Sequence, residues 1–531
     1  TLVVENTVAV NVGDLAKVIA HASKAGASVP TNDCGYKMPN RTDKRRGVLI
    51  GAYANTRLLM TTISGGAGGT NAVTGVAATL THLNTVKATV GDQVTIVAGY
   101  DTEGSGADFT IGEESGDDAE AALESSDETE VYNLAGGISA GGAAGVGATV
   151  VTTVYDKTME TSVGSGGSMR VTGNVKVDSR STDDMYLLAL SFAGGGSAGV
   201  GVGASALAFE NDLLTSLGGN VKAKGNVDVI ANSSTDLINV AAALAGSGSA
   251  AVTPVAVVTW FDGSTVAELG EGASVEAEGY VNLEADSVEF VSSDAAGISG
   301  SGAASVSGTV DIIITEQTTR AQAQKNVSID AANISVTAFD NSQILAIAAT
   351  GAFSGAAAVG VTAVVSVLHN TVTAGFVGGE AGKNNITAQG DVNIEADAKR
   401  DVLSYAGSAA ASGAAGVSAT IMATVAGGKL SQDSSDSLLM SGNRLTEDEY
   451  DALSDEEKKA YKQQAKGGFN PDGFVDDAFG SSGSYTEDYR MDGLGQKLQG
   501  DGVRQSDIQL GDDEGNFDAE SGYVSEDFNS S

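Results

Sequence analysis

The sequence is poor in the residues that large globular cores and disulfide frameworks need. Of its 531 residues only one is a cysteine (Cys34), four are prolines and 5% are aromatic. A single cysteine excludes an intrachain disulfide framework, so stability must come from packing and backbone hydrogen bonds. A thick globular core is hard to fill without large aromatic side chains, whereas thin stacked layers of valine, isoleucine and alanine are easily built.

Basic residues and long apolar runs are also scarce. There are 29 Lys and Arg against 68 Asp and Glu, which gives a formal net charge of −39. This balance argues against nucleic-acid binding, because neutralising phosphates requires basic side chains. No run of about 18 or more apolar residues is free of polar groups, so the sequence predicts no membrane span. Thr1 follows no signal peptide or initiating Met, and we expect it to be a processed or truncated start.

Glycine is abundant, with 71 residues, and much of it lies in small-residue runs that recur at a nearly fixed period. The runs are GAAGVGA (142–148), GSAGVGV (196–202), GSAAVTP (248–254), GAASVSG (302–308), GAAAVGV (355–361) and GAAGVSA (413–419). Their spacings are 54, 52, 54, 53 and 58 residues, and a fainter run, GTNAVTG (69–75), lies 73 residues earlier. A long insertion would explain that larger gap.

A second signature keeps the same period. It is an aliphatic residue followed two places later by another, usually after a glycine, and its members are Val175, Val227, Val281, Ile334 and Val392. Two independent motifs at one period identify a repeat protein.

Within a repeat the residues alternate with period 2, as in Val306–Thr315, which predicts strands with one set of side chains inward and the other outward. The predicted fold is therefore all-β, a repetitive β-solenoid similar to a parallel β-helix, with repeats of about 53 residues and two to three rungs in each. Inward glycine and alanine would let the sheets approach closely. The block 238–290 shows the order best, with a turn expected at Asp262-Gly263. An array of β-sandwich domains is the alternative, weakened by the lack of linkers.

The domain boundaries follow from where the repeat pattern stops. Residues 1–13 form an N-terminal half-repeat strand, because Asn6-Thr7-Val8 matches the mid-repeat triplets at 84–86 and 370–372. Residues 14–55 are a basic insertion with a helix, in which Asp14 is the N-cap and Gly26 the end. The apolar stripe of that helix is Leu15, Val18, Ile19 and Ala22.

The remaining segments alternate between repeats and acidic stretches. A first repeat occupies 56–98, and the insertion 99–130 has twelve acidic residues and no basic ones. Contiguous solenoid repeats fill 131–430. The acidic tail, 431–531, contains two capping boxes, Thr446 to Glu449 and Ser454 to Glu457, which predict short helices.

The two ends of the solenoid predict an assembly mode. The chain starts in the second half of a repeat and its last copy stops after the first half, so two chains joined head to tail would complete one repeat by β-augmentation. The residues expected at this joint are Val4, Asn6, Thr7, Val8, Val10, Val417, Ile421 and Val425. The alternative is a longer precursor that was cut at these points.

No pattern of catalytic or cofactor-binding residues emerges, so we expect no enzyme activity, catalytic residue or cofactor. The glycine runs lack the Lys-Ser/Thr of a phosphate loop, and His21, His82 and His369 lack zinc-site spacing. Acidic clusters in the tail, for example Asp472, Asp476 and Asp477, or a second cluster, could hold Ca²⁺ through carboxylate oxygens. The second cluster is Asp512, Asp513, Glu514, Asp518 and Glu520. Neither cluster fits a known calcium loop, so the metal content stays open.

The order of small-residue run, V-x-V strand and G-N-V-x-V resembles the repeats of large secreted bacterial filamentous adhesins of the leukotoxin type. Those are similar to haemagglutinin-like β-helical exoproteins. The resemblance covers about 56–98 and 131–430 and excludes the insertion 14–55 and the tail. It implies export from a Gram-negative-type cell, a surface β-solenoid and adhesive or structural roles.

Three functions remain open at this stage. The first is a secreted or cell-surface fibre or adhesin subunit whose main partner is another copy of itself. The second is a monomeric adhesin or binding fragment of a longer solenoid, which recognises a host, matrix or other cell-surface ligand. The third is a β-helical polysaccharide-degrading enzyme, which would need clustered Asp, Arg or Lys on one face, whereas Arg and Lys are thinly scattered here.

Overall fold

The structure, a computed structural model, describes residues 1–22, 46–103, 110–115, 118–377 and 383–426. Almost all of these residues lie in β-strands, and strands of successive repeats stack in parallel. This confirms the predicted all-β, repetitive solenoid. The predicted helices of the tail lie outside the described residues, as do Cys34 and most of the basic insertion.

The strands follow the chain in coils of two long strands and one short strand. A partial coil gives β1 (Leu2–Val12) and β2 (Lys17–Ala20). The first complete coil is β3 (Gly47–Gly68), β4 (Asn71–Val90) and β5 (Thr95–Ala98), followed by a hairpin of β6 (Tyr100–Glu103) and β7 (Thr110–Glu114). The second is β8 (Glu120–Gly141), β9 (Ala144–Val163) and β10 (Ser168–Val171). The third is β11 (Val175–Gly195), β12 (Ala198–Leu217) and β13 (Asn220–Ala223).

Three more complete coils and a second partial coil end the described solenoid. The fourth is β14 (Val227–Ser247), β15 (Ala250–Leu269) and β16 (Ser274–Ala277). The fifth is β17 (Tyr280–Ser301), β18 (Ala304–Ala323) and β19 (Ser328–Ala331). The sixth is β20 (Asn333–Ser354), β21 (Ala357–Phe376) and β22 (Asn385–Ala388). The partial seventh coil gives β23 (Val392–Ser412) and β24 (Ala415–Ala426).

Stacking of the coils builds three parallel sheets. The back sheet contains the first strand of each coil, in the order β23-β20-β17-β14-β11-β8-β3. The front sheet is β1-β4-β9-β12-β15-β18-β21-β24, and the short base sheet is β2-β5-β10-β13-β16-β19-β22. Each back strand turns sharply into its front strand at an edge that we call the apex. One repeat therefore makes one coil, and the expectation of two to three rungs per repeat is wrong because the long strands have about 20 residues.

Both repeat signatures occupy single positions in this stack. Val73, Val146 and Val200 pair in register in the front sheet, which confirms the faint first copy and its insertion. The V-x-V residues pair in register in the back sheet, from Val175 through Val227, Val281 and Ile334 to Val392. Period and pairing agree because a parallel ladder without register shifts places equivalent residues of consecutive repeats side by side.

The core lies between the sheets and changes along the coil. Near the base it consists of valine, leucine, isoleucine and alanine from all three sheets. Halfway to the apex the rings of Tyr155, Phe209 and Phe261 stack along the axis, with centroids 4.9 and 5.3 Å apart. At the apex, glycines of β12 face the back sheet, and a side chain at Gly199, Gly201 or Gly203 would meet backbone carbonyls of β14. The predicted close approach of sheets through inward glycine is confirmed there.

The helix predicted from Asp14 to Gly26 is wrong over its described part, residues 14–22. No helix occurs among the described residues, and Lys17–Ala20 instead forms a base strand that pairs with Thr95–Ala98. Val18 and Ala20 face the core, and Asp14 accepts a hydrogen bond from the backbone N–H of Asp92 instead of capping a helix. The spacing of the apolar residues fitted a helix, but pairing with the next coil decided the structure.

Other expected boundaries fall inside strands. The boundaries at 55/56 and 130/131 lie within β3 and β8, and the acidic insertion reduces to the β6–β7 hairpin and its flanks. Asp262-Gly263 lies within β15 instead of forming a turn, because both residues pair in register with β12 on one side and β18 on the other.

Candidate assembly interface

At the N-terminal end the first partial coil supplies half of a front strand and a base strand. The register runs from Leu2 beside Leu80 to Val12 beside Val90, the basal half of β4. The repeated triplets therefore stack directly, and Asn6 Nδ2 donates to Asn84 Oδ1 at 3.1 Å. Among the described residues, β1 pairs only with β4 and β2 only with β5, so they form one edge of the front and base sheets.

At the C-terminal end the last coil supplies the complementary parts. Its back strand β23 is complete, whereas β24 covers only the apical half of a front strand. The N–H of Ala415 donates to Ala356 O at 2.9 Å, and the same offset places Ala426 level with Leu368. Through the registers of the front sheet, Leu368 is level with Val4 of β1. The segments β24 and β1 thus cover opposite halves of one front strand.

In the described part of the last coil, side chains at core positions are exposed. Val392 and Ile394 of β23 are 49% and 48% exposed, although Val281 and Leu283, at the same positions of a middle coil, are fully buried. The first coil mirrors this, because Val8, Val10, Val12, Val18 and Ala20 point toward the core but are only partly buried. One end therefore exposes core side chains of a back strand, and the other end exposes core side chains of a front strand and a base strand.

The eight residues predicted at the joint lie at the two edges of the front sheet. Val4, Asn6, Val8 and Val10 face inward on β1, and Thr7 faces outward. Val417, Ile421 and Val425 lie on the outer face of β24, which six strands separate from β1 in the front sheet of the same chain. One chain therefore brings the two groups nowhere near each other, and only a second chain could join them.

Sequence reasoning missed Val392, Ile394 and Val18 as interface candidates. The first two belong to the V-x-V signature, and their copy of the repeat is followed by no base-strand motif among the described residues. Val18 was hidden by its assignment to a helix. A search for repeat positions without a counterpart in the adjacent copy would have found all three.

A buried charge cluster connects the front and back sheets in the second and third coils. Lys157 is fully buried and pairs with Asp127 and with Asp183, whose Oδ1 lies 2.7 Å from Nζ. Asp183 also accepts hydrogen bonds from Tyr155 at 2.7 Å and Ser181 at 2.8 Å. Because burial disfavours charge, it raises the pKa of Asp183, and the attraction of the two carboxylates holds the pKa of Lys157 high. The cluster fixes which front residue faces which back residue, since any slip would leave a charge unpaired in the core.

The equivalent level of the fifth and sixth coils holds a carboxyl pair without a cation. Glu289 and Asp340 share Ser342, whose hydroxyl donates to Glu289 Oε2 at 2.7 Å, and Asn370 donates to Asp340. Burial and the neighbouring Asp340 raise the pKa of Glu289 to about 8. The pair is therefore held together at neutral pH by a proton on Glu289.

The histidines do not form a metal site. His82 is buried against the ring of Tyr155, and burial lowers its pKa to about 4, so it is neutral near pH 7. Nδ1 of His21 lies 2.9 Å from the carbonyl of Tyr100, far along the chain from His82 and His369. No group of three or more potential metal ligands occurs in the part of the chain that the structure describes. The tail clusters around 472–477 and 512–520 lie outside it.

Comparison with known proteins does not extend this description. No family model, curated protein or solved structure matches the chain. Among the described residues, no helix is long and apolar enough to cross a membrane.

Proposed function

We propose that this protein is a structural subunit of an extracellular bacterial fibre or filamentous adhesin, assembled head to tail by strand completion. The observation that supports it is the complementarity of β24 and β1. In the composite coil, β23 and β24 of one subunit would provide the back strand and the apical front segment. The next subunit would add the basal front segment with β1 and the base strand with β2.

The columns of the core would continue across such a joint. The triplet Asn6-Thr7-Val8 of the second subunit would lie between two other triplets. On one side is Asn370-Thr371-Val372 of the first subunit, and on the other is Asn84-Thr85-Val86 of the second subunit, so that three identical triplets stack. Below them Val10 would follow Ala374 and Val18 would follow Ile386, as the registers of the front and base sheets require. Identical residues in consecutive parallel strands form ladders in which side-chain amides bond to one another.

The joint would remove two unfavourable surfaces at once. The strand edges at each end carry backbone N–H and C=O groups without a strand partner, and exposed edges of this kind promote pairing with another chain. Burial of Val392 and Ile394 under β1 and β2 would add about 25 cal/mol for each Å² of apolar surface removed from water. The segments overlap at three levels, Leu2–Val4 and Thr424–Ala426, so one of them must move aside there.

The experiment blocks each end separately. Val10→Asp puts a charge on the inner face of β1, and Ile394→Asp does the same on β23, while Asn11→Asp changes the outer face of β1 as a matched control. We expect filaments by electron microscopy from the wild type and Asn11→Asp, and monomers from each blocked variant. Each blocked variant keeps one intact end, so a mixture of the two should give 1:1 dimers and nothing longer by light scattering.

Two results would contradict the proposal. Filaments from Val10→Asp of the same length as the wild type would show that β1 is not in the joint. Monomers from the wild type at every concentration would favour the monomeric adhesin or binding fragment instead. Circular dichroism of each variant checks that the solenoid is still folded.

A further inference from the structure

The two halves of each coil differ in the polarity of their exteriors. In the basal half the interior is largely aliphatic and the exterior carries charges such as Lys222 and Glu276, which pair at the surface. In the apical half, hydroxyl groups lie among the small apolar side chains of the interior, and the exterior is apolar.

The apical interior mixes small apolar side chains with hydroxyl groups. Thr149, Ser205, Thr253, Ser307 and Thr309 are buried between the front and back sheets. Thr149 Oγ1 donates across the narrow gap to the carbonyl of Leu190 in the back sheet at 2.7 Å, whereas Thr253 Oγ1 donates to Ser307 Oγ of the neighbouring front strand at 2.7 Å. These hydroxyls are therefore hydrogen-bonded within the protein instead of to water.

The apical exterior is apolar on both sides. On the front sheet the valine of each small-residue run faces outward, namely Val73, Val146, Val200, Val252, Val306 and Val359. In the fourth coil these outward front positions run from Val252 to Trp260. Neither they nor the equivalent positions of any other described coil contain a charged residue. On the back sheet a ridge of Ile138, Phe192, Leu244 and Ile298 borders a shallow apolar groove floored by glycine. Asp294 is the one charge at the matching outward back positions.

Charged residues mark where the apolar zone ends, at the same height on both faces. The front sheet carries a line of Asp156, Glu210, Asp262 and Glu316. The back sheet carries Glu130, Asp184 and Asp236 at the mirror position. Aromatic side chains lie just on the apolar side of this line. Trp260 is on the front, and Tyr132 and Tyr186 stack 5.1 Å apart on the back.

The depth of the apolar zone matches a lipid bilayer. It spans about nine residues of each strand, or ~30 Å at ~3.3 Å per residue, and the hydrocarbon core of a bilayer is ~30 Å thick. Beyond it the apical turns are small and polar, for example Gly248-Ser249. Aromatic side chains at the boundary between apolar and charged zones are typical of membrane interfaces.

We propose that the apical half of the solenoid inserts edge-on into a lipid bilayer, with the two acidic lines at the level of the headgroups. In hydrocarbon, backbone groups must be satisfied within the protein, and the parallel ladders do this inside each sheet. Hydroxyls such as those of Thr149 and Thr253 are bonded in the interior. A protein partner on one face would leave the other apolar face in water, whereas a bilayer covers both. Because the acidic lines would be repelled by anionic lipid, the bilayer is a zwitterionic one.

The inference rests on the proposed function in one respect. Open strand edges are unfavourable in hydrocarbon, and end-to-end stacking covers the apical edges of β3, β4, β23 and β24. Insertion is therefore expected of the assembled form. The blocked variant Val10→Asp separates the two ideas, because it keeps the same apical surface without assembly.

The test uses the single tryptophan and flotation with phosphatidylcholine vesicles. We expect wild-type filaments to float with the vesicles and the Trp260 emission to shift to shorter wavelength. Val310→Asp on the front and Leu244→Asp on the back place charges in the apolar zone and should lower the bound fraction at least ~10-fold. The matched controls Thr318→Asp and Ser234→Asp place the same charge on the basal exterior and should bind like the wild type.

The outcomes distinguish the two proposals. Filaments that form but neither float nor shift the Trp260 emission would overturn insertion and leave assembly intact. Equal binding by apical and basal variants would also overturn it. Lateral sheets of filaments in water, lost in Val310→Asp without any vesicle binding, would assign the apolar faces to a second copy of the chain and overturn the lipid assignment.

Discussion

At the scale of single residues, the buried polar level of the core is the feature with the clearest chemical consequence. The same level holds a Lys157 with two carboxylates in the second and third coils and a Glu289–Asp340 pair without a cation in the fifth and sixth. The two arrangements satisfy buried carboxylates differently, one with an ammonium group and one with a shared proton. Only the second depends on pH near neutrality.

We predict that Glu289→Gln removes a pH-dependent loss of stability. The pKa of Glu289 is about 8 in the folded state, above its ordinary value, so folding binds a proton that the unfolded chain releases. The wild type should therefore lose stability as the pH rises from the ordinary range of a glutamate toward about 8, with no further loss above that value. The variant keeps a neutral group there, so its thermal midpoint should fall less than that of the wild type over this range. The decline that remains comes from other buried carboxyls such as Asp311, whose pKa burial raises to about 7.

The control for this titration is Glu276→Gln, which changes an exposed glutamate of the base sheet. Its thermal midpoint should follow the pH dependence of the wild type. If Glu289→Gln shows the same decline between about pH 5 and about pH 9, Glu289 does not carry the proton at neutral pH.

At the scale of strands, glycine decides how closely the front and back sheets approach near the apex. A Cβ at Gly201 would lie 3.0 Å from the carbonyl oxygen of Leu244, whereas one at Gly308 would meet nothing. Both glycines lie in front strands, but Gly201 faces inward and Gly308 outward. The same substitution at the two positions therefore isolates the effect of sheet spacing.

We predict that Gly201→Val destabilises the solenoid by about 1–3 kcal/mol through overpacking between the sheets. Gly308→Val should change stability by less than ~0.5 kcal/mol, because it is an exterior position that holds valine in Val202 and Val361. Urea unfolding followed by circular dichroism measures both. Similar changes in the free energy of unfolding of the two variants would mean that the gap between the sheets can widen near the apex without loss of stability.

The same scale shows where sequence reasoning failed. The stripe from Leu15 to Ala22 fitted a helical period, and Asp262-Gly263 fitted a turn, yet both segments are strands. In each case the deciding interaction is strand pairing with a neighbouring coil, with Thr95–Ala98 for the first segment and with β12 and β18 for the second. A local pattern of four to eight residues does not contain that information.

At the scale of the whole molecule, the described solenoid is a stack in which each coil pairs with its neighbours. Its stability is then close to a sum of coils and interfaces, and a coil with one neighbour is less stable than a coil with two. In the proposed assembly, the first and last described coils would each gain a neighbour.

We predict that hydrogen exchange distinguishes ends from middle and monomers from filaments. In a blocked monomer such as Val10→Asp, amides of β1, β23 and β24 should exchange much faster than those of β12 and β15. In wild-type filaments β23 and β24 should become protected while the middle strands stay unchanged. Unprotected end strands in filaments would place the contact somewhere other than the open coils.

The sequence alone determined the repeat, its period, its strand content and the half-repeats at the two ends. These follow from residue spacing, because a parallel stack without register shifts repeats the same residue type at each position. The tertiary structure decided what spacing leaves open. It showed that one repeat makes one three-sided coil and which set of alternating side chains faces inward. It also brought Lys157, Asp127 and Asp183 together. A period of 2 separates two sets of side chains but does not say which set faces inward. That depends on which side chains of the opposite sheet are available to pack against them.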